Sequence, residues 1–152
     1  MKTIIVTGGA GYIGQHACKK LIAAGYNVVV IDRDPIHVKY ADHCYVKDLC
    51  NREAITSILD QHKHDAVAIM HFAASAYVGE SVVNPALYYQ NNIANSEILF
   101  TAAKDAGIKN VIFSSSCATY GIHDDLITEE TAQVPMNPYG FTKYAIERLL
   151  AD

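Results

Sequence analysis

A glycine-spaced turn set directly behind a run of β-branched residues leaves this chain few ways to fold. Thr3, Ile4, Ile5 and Val6 lead at once into Thr7-Gly8-Gly9-Ala10-Gly11-Tyr12-Ile13-Gly14, and an apolar-periodic stretch then runs to Ala24. The first run favours an extended strand and the second a helix. Glycines at such a junction allow a tight turn and close packing of the helix on the strand it has just left. Gly25 ends the helix, and Asn27 to Ile31 begins a second strand that closes in Asp32. The chain therefore opens as strand, glycine turn, helix, strand.

The alternation continues. A short strand is predicted at Cys44 to Val46, a helix from Glu53 to His62 and a buried strand from Ala66 to Phe72. A long helix follows from Pro85 to Ala106, with Gly107 past its end, and then a strand from Val111 to Ser115. Residues 121–137 carry several acids and no clear period, so they read as a loop. Pro138 opens a last helix with Ala145, Ile146, Leu149 and Leu150 at core spacing. Near-continuous apolar strands separated by helices predict an α/β fold, a Rossmann-like doubly wound parallel sheet with helices on both faces.

At 152 residues the chain fits one domain, and with 51% hydrophobic residues and a net charge of only -4 it offers neither a basic nucleic-acid surface nor an acidic disordered tail. The start lacks the pattern of a signal peptide, and no apolar stretch approaches the length of a membrane span, which points to the cytoplasm. Cys18, Cys44, Cys50 and Cys117 form no C-x-x-C pair, and the seven histidines, His37 among them, are dispersed, so no metal site is expected.

Gly8, Gly11 and Gly14 stand in the first turn of a doubly wound unit, where backbone approaches a pyrophosphate closely and a helix N-terminus presents its N–H groups. Asp32, at the end of the second strand, is placed to accept hydrogen bonds from the hydroxyls of an adenosine ribose. A carboxylate there favours NAD over NADP, because it repels a 2'-phosphate, while Arg33 beside it pulls the other way.

The second chemical signal is the pair Tyr139 and Lys143, four residues apart at the start of the last helix. Residues so spaced share a helix face, and an ammonium beside a phenol favours the ionised form of the phenol. An unperturbed tyrosine, with a pKa of ~10, is a poor base at neutral pH, so a lysine neighbour is one way to make it useful. Taken alone the pair also fits an ordinary helix surface.

Together Thr7 to Gly14, Asp32, Phe72-Ala73-Ala74, Phe113-Ser114-Ser115-Ser116 and Tyr139-x-x-x-Lys143 resemble the extended short-chain dehydrogenase/reductase family, and within it the UDP-glucose 4-epimerase branch. The resemblance covers the whole chain in order. It implies that Gly8, Gly11, Tyr12, Ile13 and Gly14 hold the pyrophosphate of NAD, Asp32 its ribose, and Asp48 and Leu49 its adenine. It also implies cofactor contacts for Phe72, Ala73, Ala74, Asn91, Ser114, Tyr139 and Lys143. Ser116 would hydrogen-bond the reacting sugar oxygen, with Tyr139 as base and Lys143 as its partner.

The implied reaction removes hydrogen from C4 of a UDP-sugar, turns the 4-keto sugar over and returns the hydrogen to its other face. Ser116-Cys117-Ala118-Thr119 lacks the acidic pair of the 4,6-dehydratases, while other UDP-sugars, N-acetylated or pentose, stay open. The chain carries Ala76 where many of these epimerases have a lysine. Family members also continue into a C-terminal region that builds the sugar pocket. Residues 1–152 are accordingly expected to form a single NAD-binding domain, incomplete relative to the family, that binds the dinucleotide with little or no turnover alone. A module that holds NAD and turns nothing over is the alternative. A homodimer through the helices at 85–106 and 138–152 is also expected, with no nucleic-acid or membrane partner.

Overall fold

The computed structural model describes residues 1–35 and 38–152; His37 lies outside the described residues. Five strands, β1 (Thr3–Thr7), β2 (Asn27–Asp32), β3 (His43–Val46), β4 (Ala66–His71) and β5 (Val111–Phe113), form one sheet in the order β3-β2-β1-β4-β5. Every neighbouring pair is parallel. The helices are α1 (Tyr12–Ala23), α2 (Arg52–His62), α3 (Val78–Val83), α4 (Pro85–Tyr88), α5 (Asn95–Asp105) and α6 (Pro138–Ala151). This is the doubly wound parallel sheet that the alternation predicts.

The chain divides into two units, the first made of residues 1–73 and 98–114, the second of residues 74–97 and 115–152. In the first unit the alternation of strand side chains is visible in two separate cores. Ile5, Val29, Ile31 and Ile69 pack with Ile55, Ile58 and Leu59 of α2 and with Leu99, Ala102 and Ala103 of α5. Ile4, Val6, Val28, Val30 and Ala68 point the other way and pack with Ala10 and Cys18. Because neighbouring strand residues face opposite sides, both faces of the sheet need an apolar cover, and the helices supply it. At the carboxyl ends of β1 and β4, Thr7 Oγ1 and His71 Nδ1 lie 2.6 Å apart in full burial.

The second unit is built differently. A π-helical segment, Tyr89–Ala94, follows α4, and a single 3₁₀ turn, Cys117–Thr119, precedes the long loop that leads to α6. The expected helix from Pro85 to Ala106 is therefore helical but not uniform: a wider turn interrupts it at Asn91 and Asn92. Such a turn holds an extra residue and redirects the side chains on it. The structure also adds α3, which no periodicity announced; Val78, Val82, Val83 and Gly79 are weak helix formers, and contacts within the unit make up the difference. The strand expected to reach Ser115 stops at Phe113.

Candidate active site

In the first unit the glycine turn is packed too tightly against backbone to carry side chains. Gly8 sits at φ +70°, a left-handed backbone, and its N–H donates to the Ile31 carbonyl at 3.0 Å. A Cβ there would meet the Ala73 backbone nitrogen at 2.6 Å, so the position excludes any side chain. At Gly14 a Cβ would overlap the Gly8 carbonyl oxygen. Gly11 is the N-cap of α1 and its N–H donates to Gly8 O at 3.1 Å.

No side chain caps the first turn of α1 and no acidic residue stands in it. The positive end of the helix is thus left for an anion. Tyr12 and Ile13 are exposed beside it. Asp32 is aimed at the same turn: its Oδ2 accepts from the Ala10 N–H at 2.9 Å and its Oδ1 from the Asp34 N–H at 3.0 Å. Each oxygen keeps a further lone pair for a hydroxyl donor.

The remaining first-unit candidates are half-buried or buried. Asp48 Oδ1 accepts from the Cys50 N–H at 2.9 Å, and Leu49 is buried. Phe72 donates its N–H to Thr7 O at 3.0 Å, carrying the line of β4 past its end, and Ser114 does the same to His71 O at 3.2 Å. Ala73 packs against the core and comes within the tight approach to Gly8.

In the second unit the helix α6 begins where Asn137 accepts from the Gly140 N–H at 2.8 Å and Pro138 occupies the first helical position. These two signals fix the register of Tyr139 and Lys143 on one face. Lys143 is 4% exposed, and burial lowers its amine from the ordinary 10.5 to about 8. Its Nζ lies 5.9 Å from the centre of the Tyr139 ring. A lysine at about 8 remains largely protonated at neutral pH, so a positive charge faces the phenol.

Ser116 caps the 3₁₀ turn: its Oγ accepts from the Ala118 N–H at 3.2 Å, and its carbonyl accepts from the Thr119 N–H and hydroxyl. Accepting this bond leaves the Ser116 hydroxyl its own proton to donate. A Cβ at Gly140 would overlap the Ala118 carbonyl oxygen, so the turn carrying Ser116 packs directly on the first turn of α6. Within this unit the turn that carries Ser116 therefore lies against the helix that carries Tyr139 and Lys143. Ala74 is half-buried there.

A family model described as the NAD dependent epimerase/dehydratase family matches residues 4–152. The chain belongs to this family. Among relatives of this epimerase/dehydratase chain, the UDP-glucose 4-epimerase of Rhizobium leguminosarum bv. trifolii is 44% identical over 99% of the chain and 47% of the relative. UDP-arabinose 4-epimerase 1 of Arabidopsis thaliana is 40% identical over 98% of the chain and 38% of its own length. The crystal structure of UDP-glucose 4-epimerase from Brucella ovis in complex with NAD superposes with a TM-score of 0.94 at 43% identity, covering 100% of this chain and 47% of that one. The chain thus spans about half the length of the curated relatives it matches.

Sequence reasoning selected Asn91 and passed over the asparagine beside it. Asn91 is half-buried and donates to Ser75 Oγ at 2.9 Å. Asn92 is fully buried; it accepts from the Ser75 N–H at 2.8 Å and donates to Ser75 O and Thr142 Oγ1, each at 3.0 Å. It clamps the segment after Ala74 to α6. Also missed were Ser81, whose Oγ accepts from the Tyr139 N–H at 3.2 Å, and Tyr88, whose ring meets that of Tyr139 edge-on at 6.5 Å. The Tyr88 hydroxyl bonds to Glu80 and to the Tyr77 backbone, and burial, with the Glu80 hydrogen bond, pushes it up to about 12. An alternation of apolar and polar residues does not disclose such pairings.

Proposed function

We propose that this chain supplies the nucleotide-binding and proton-transfer parts of an NAD-dependent UDP-glucose 4-epimerase, interconverting UDP-glucose and UDP-galactose. The observation that carries the reading is the buried amine of Lys143 set 5.9 Å from the Tyr139 ring, on a helix against which the Ser116 turn packs. That is a base, its counter-ion and a hydroxyl donor in one unit.

The residues of the first unit suit NAD. Gly8, Gly11, Tyr12, Ile13 and Gly14 would take the pyrophosphate, Asp32 the ribose, and Asp48 and Leu49 the adenine side; Phe72, Ala73 and Ser114 would line the rest. The uncapped start of α1, with no acidic residue in its first turn, supports this fit. When bound, the cofactor supplies a hydride acceptor and donor for C4 of the sugar.

Tyr139 takes the proton of the sugar's 4-hydroxyl as hydride leaves C4 and gives it back when the ketone is reduced. Lys143 is the counter-ion for the anion that forms at Tyr139. Ser116, anchored through Ala118, keeps its O–H directed at the oxygen whose charge changes. Residues 1–152 serve as one domain for this purpose. The similarity to a UDP-arabinose 4-epimerase leaves a pentose substrate as the second reading of specificity.

A homodimer is proposed through α4, the π-helical segment and α6, where Leu87, Tyr89, Phe141 and Tyr144 are exposed and Tyr89 meets Phe141 edge-on at 5.9 Å. A cytoplasmic location suits four free cysteines. Among the described residues no helix is long and apolar enough to cross a membrane.

The test is incubation with UDP-galactose and NAD, scoring UDP-glucose, with Tyr139→Phe in parallel. Any turnover the wild type shows should fall by about 10²-fold or more in the variant. NAD binding without any turnover would favour the binding-module reading. Equal turnover by both proteins would sink the role given to Tyr139.

A further inference from the structure

Glu147 lies one helical turn beyond Lys143 on α6, is half-buried, and its carboxylate is divided between two partners. One oxygen accepts the Ser115 hydroxyl proton. The other accepts from Gln133 Nε2 at 2.6 Å, and the same amide nitrogen donates to Thr119 Oγ1 at 3.1 Å. Thr119, 1% exposed, in turn donates to Ser116 O at 2.9 Å. Both sides of Ser116 are therefore tied to one carboxylate: the residue before it directly, and the turn after it through Gln133.

We propose that Glu147 is a positioning residue, whose forked carboxylate locks the segment bearing Ser116 onto the helix that bears Tyr139 and Lys143. This rests on the epimerase reading above for its catalytic meaning, though not for its geometry. A proton donor whose partner sits on another element is useful only if the two move as one, and the Ser116 segment is otherwise short and partly loop. A misplacement on the order of 1 Å costs up to ~10²-fold in rate. A fork with two acceptors suits this task because its two oxygens bind donors from two different segments at once.

The chemistry sets the choice of variants. Glu147→Ala removes both arms. Glu147→Gln retains them, because its carbonyl can accept from Gln133 while its NH₂ donates to Ser115 Oγ, which can reverse its role. Ser115→Ala and Gln133→Ala each remove one arm and serve if Glu147→Ala proves unfoldable.

Two readouts on the full chain decide the matter. Amide hydrogen exchange at Ala118 and Thr119, whose N–H groups bond to Ser116, should quicken by about tenfold or more in Glu147→Ala, with amides in the later turns of α6 unchanged and Glu147→Gln like wild type. In UDP-galactose turnover, kcat should fall by about tenfold or more with KM and NAD affinity held, again restored by Gln. Unchanged exchange at Ala118 and Thr119 would overturn the brace. Faster exchange with unchanged kcat would overturn its role in positioning. Were wild type to show no turnover, as residues 1–152 alone are expected to, the exchange rates alone would judge the brace.

Discussion

In the first unit the groups proposed to meet a ligand are mostly main chain: the N–H groups at the start of α1 and the glycine turn, with one carboxylate, Asp32, pinned to that same turn. In the second unit they are side chains, and what holds them is other side chains. The Tyr139 backbone is fixed through Ser81, Thr142 through Asn92, and the neighbours of Ser116, Ser115 and Thr119, through Glu147 and Gln133. A backbone site tolerates exchange of most neighbouring side chains but no added atom. A side-chain site tolerates added atoms at its rim but not the loss of a partner.

The largest effect that can break this comparison is at Gly8. Gly8→Ala must place a Cβ 2.6 Å from the Ala73 nitrogen while holding φ +70°, whereas Gly25→Ala meets a similar φ of +84° with nothing within 4 Å. The left-handed backbone costs roughly 1–2 kcal/mol at both sites, and the overlap adds about 1–3 kcal/mol at Gly8 only. Chemical denaturation should show Gly8→Ala losing about 3 kcal/mol or more and Gly25→Ala about 1 kcal/mol. Equal losses would mean that close approach to Ala73 is not why glycine stands at position 8.

The same contrast explains what could be read from the sequence. The glycine turn, Asp32 and the strands were legible because each signal is local: turn, helix and strand follow one another within a few residues and their periods differ. Tyr139 and Lys143 were legible because both lie on one helix. The bonds that set the second unit join residues far apart in the chain: Ser81 with Tyr139 at a separation of 58, Ser115 with Glu147 at 32, Asn92 with Ser75 at 17. No period records such a pairing. Nor does any composition mark the π-helical turn that swings Asn92 inward, or the valine-rich α3 that carries Ser81.

A smaller effect, confined to the second unit, concerns Lys143. Burial holds its amine at about 8, below the ordinary 10.5. Between those values the unfolded chain carries a proton here that the folded chain lacks, so this residue's contribution to stability rises with pH. Below about 8 both states are protonated and the burial penalty is complete, ~3 kcal/mol at about 1.4 kcal/mol per unit. Lys143→Met keeps the length and removes the charge. Wild type should gain ~3 kcal/mol relative to this variant as pH rises from neutral toward 10.5. Denaturation of both proteins across that range gives the difference directly, and a gap that does not vary with pH would show that burying the charge is not what the position costs.

The smallest expected effect separates two adjacent asparagines. Asn92 is fully buried and serves the Ser75 N–H, the Ser75 carbonyl and the Thr142 hydroxyl. Asn92→Ala would leave the N–H and carbonyl of half-buried Ser75 and the buried Thr142 hydroxyl without this partner, a loss of about 2–3 kcal/mol. Asn91 is half-buried and its bond to Ser75 Oγ can be replaced by water, so Asn91→Ala should cost about 1 kcal/mol or less. If Asn91 also meets the cofactor, the two variants should reverse their order in NAD affinity: Asn91→Ala weakened by about tenfold, worth 1.4 kcal/mol, and Asn92→Ala nearer to wild type once corrected for folded fraction. Stability and titration measured on the same pair then distinguish a residue that holds the second unit together from one that it holds out toward a ligand. Parallel losses in both measurements would mean that the π-helical turn serves packing alone.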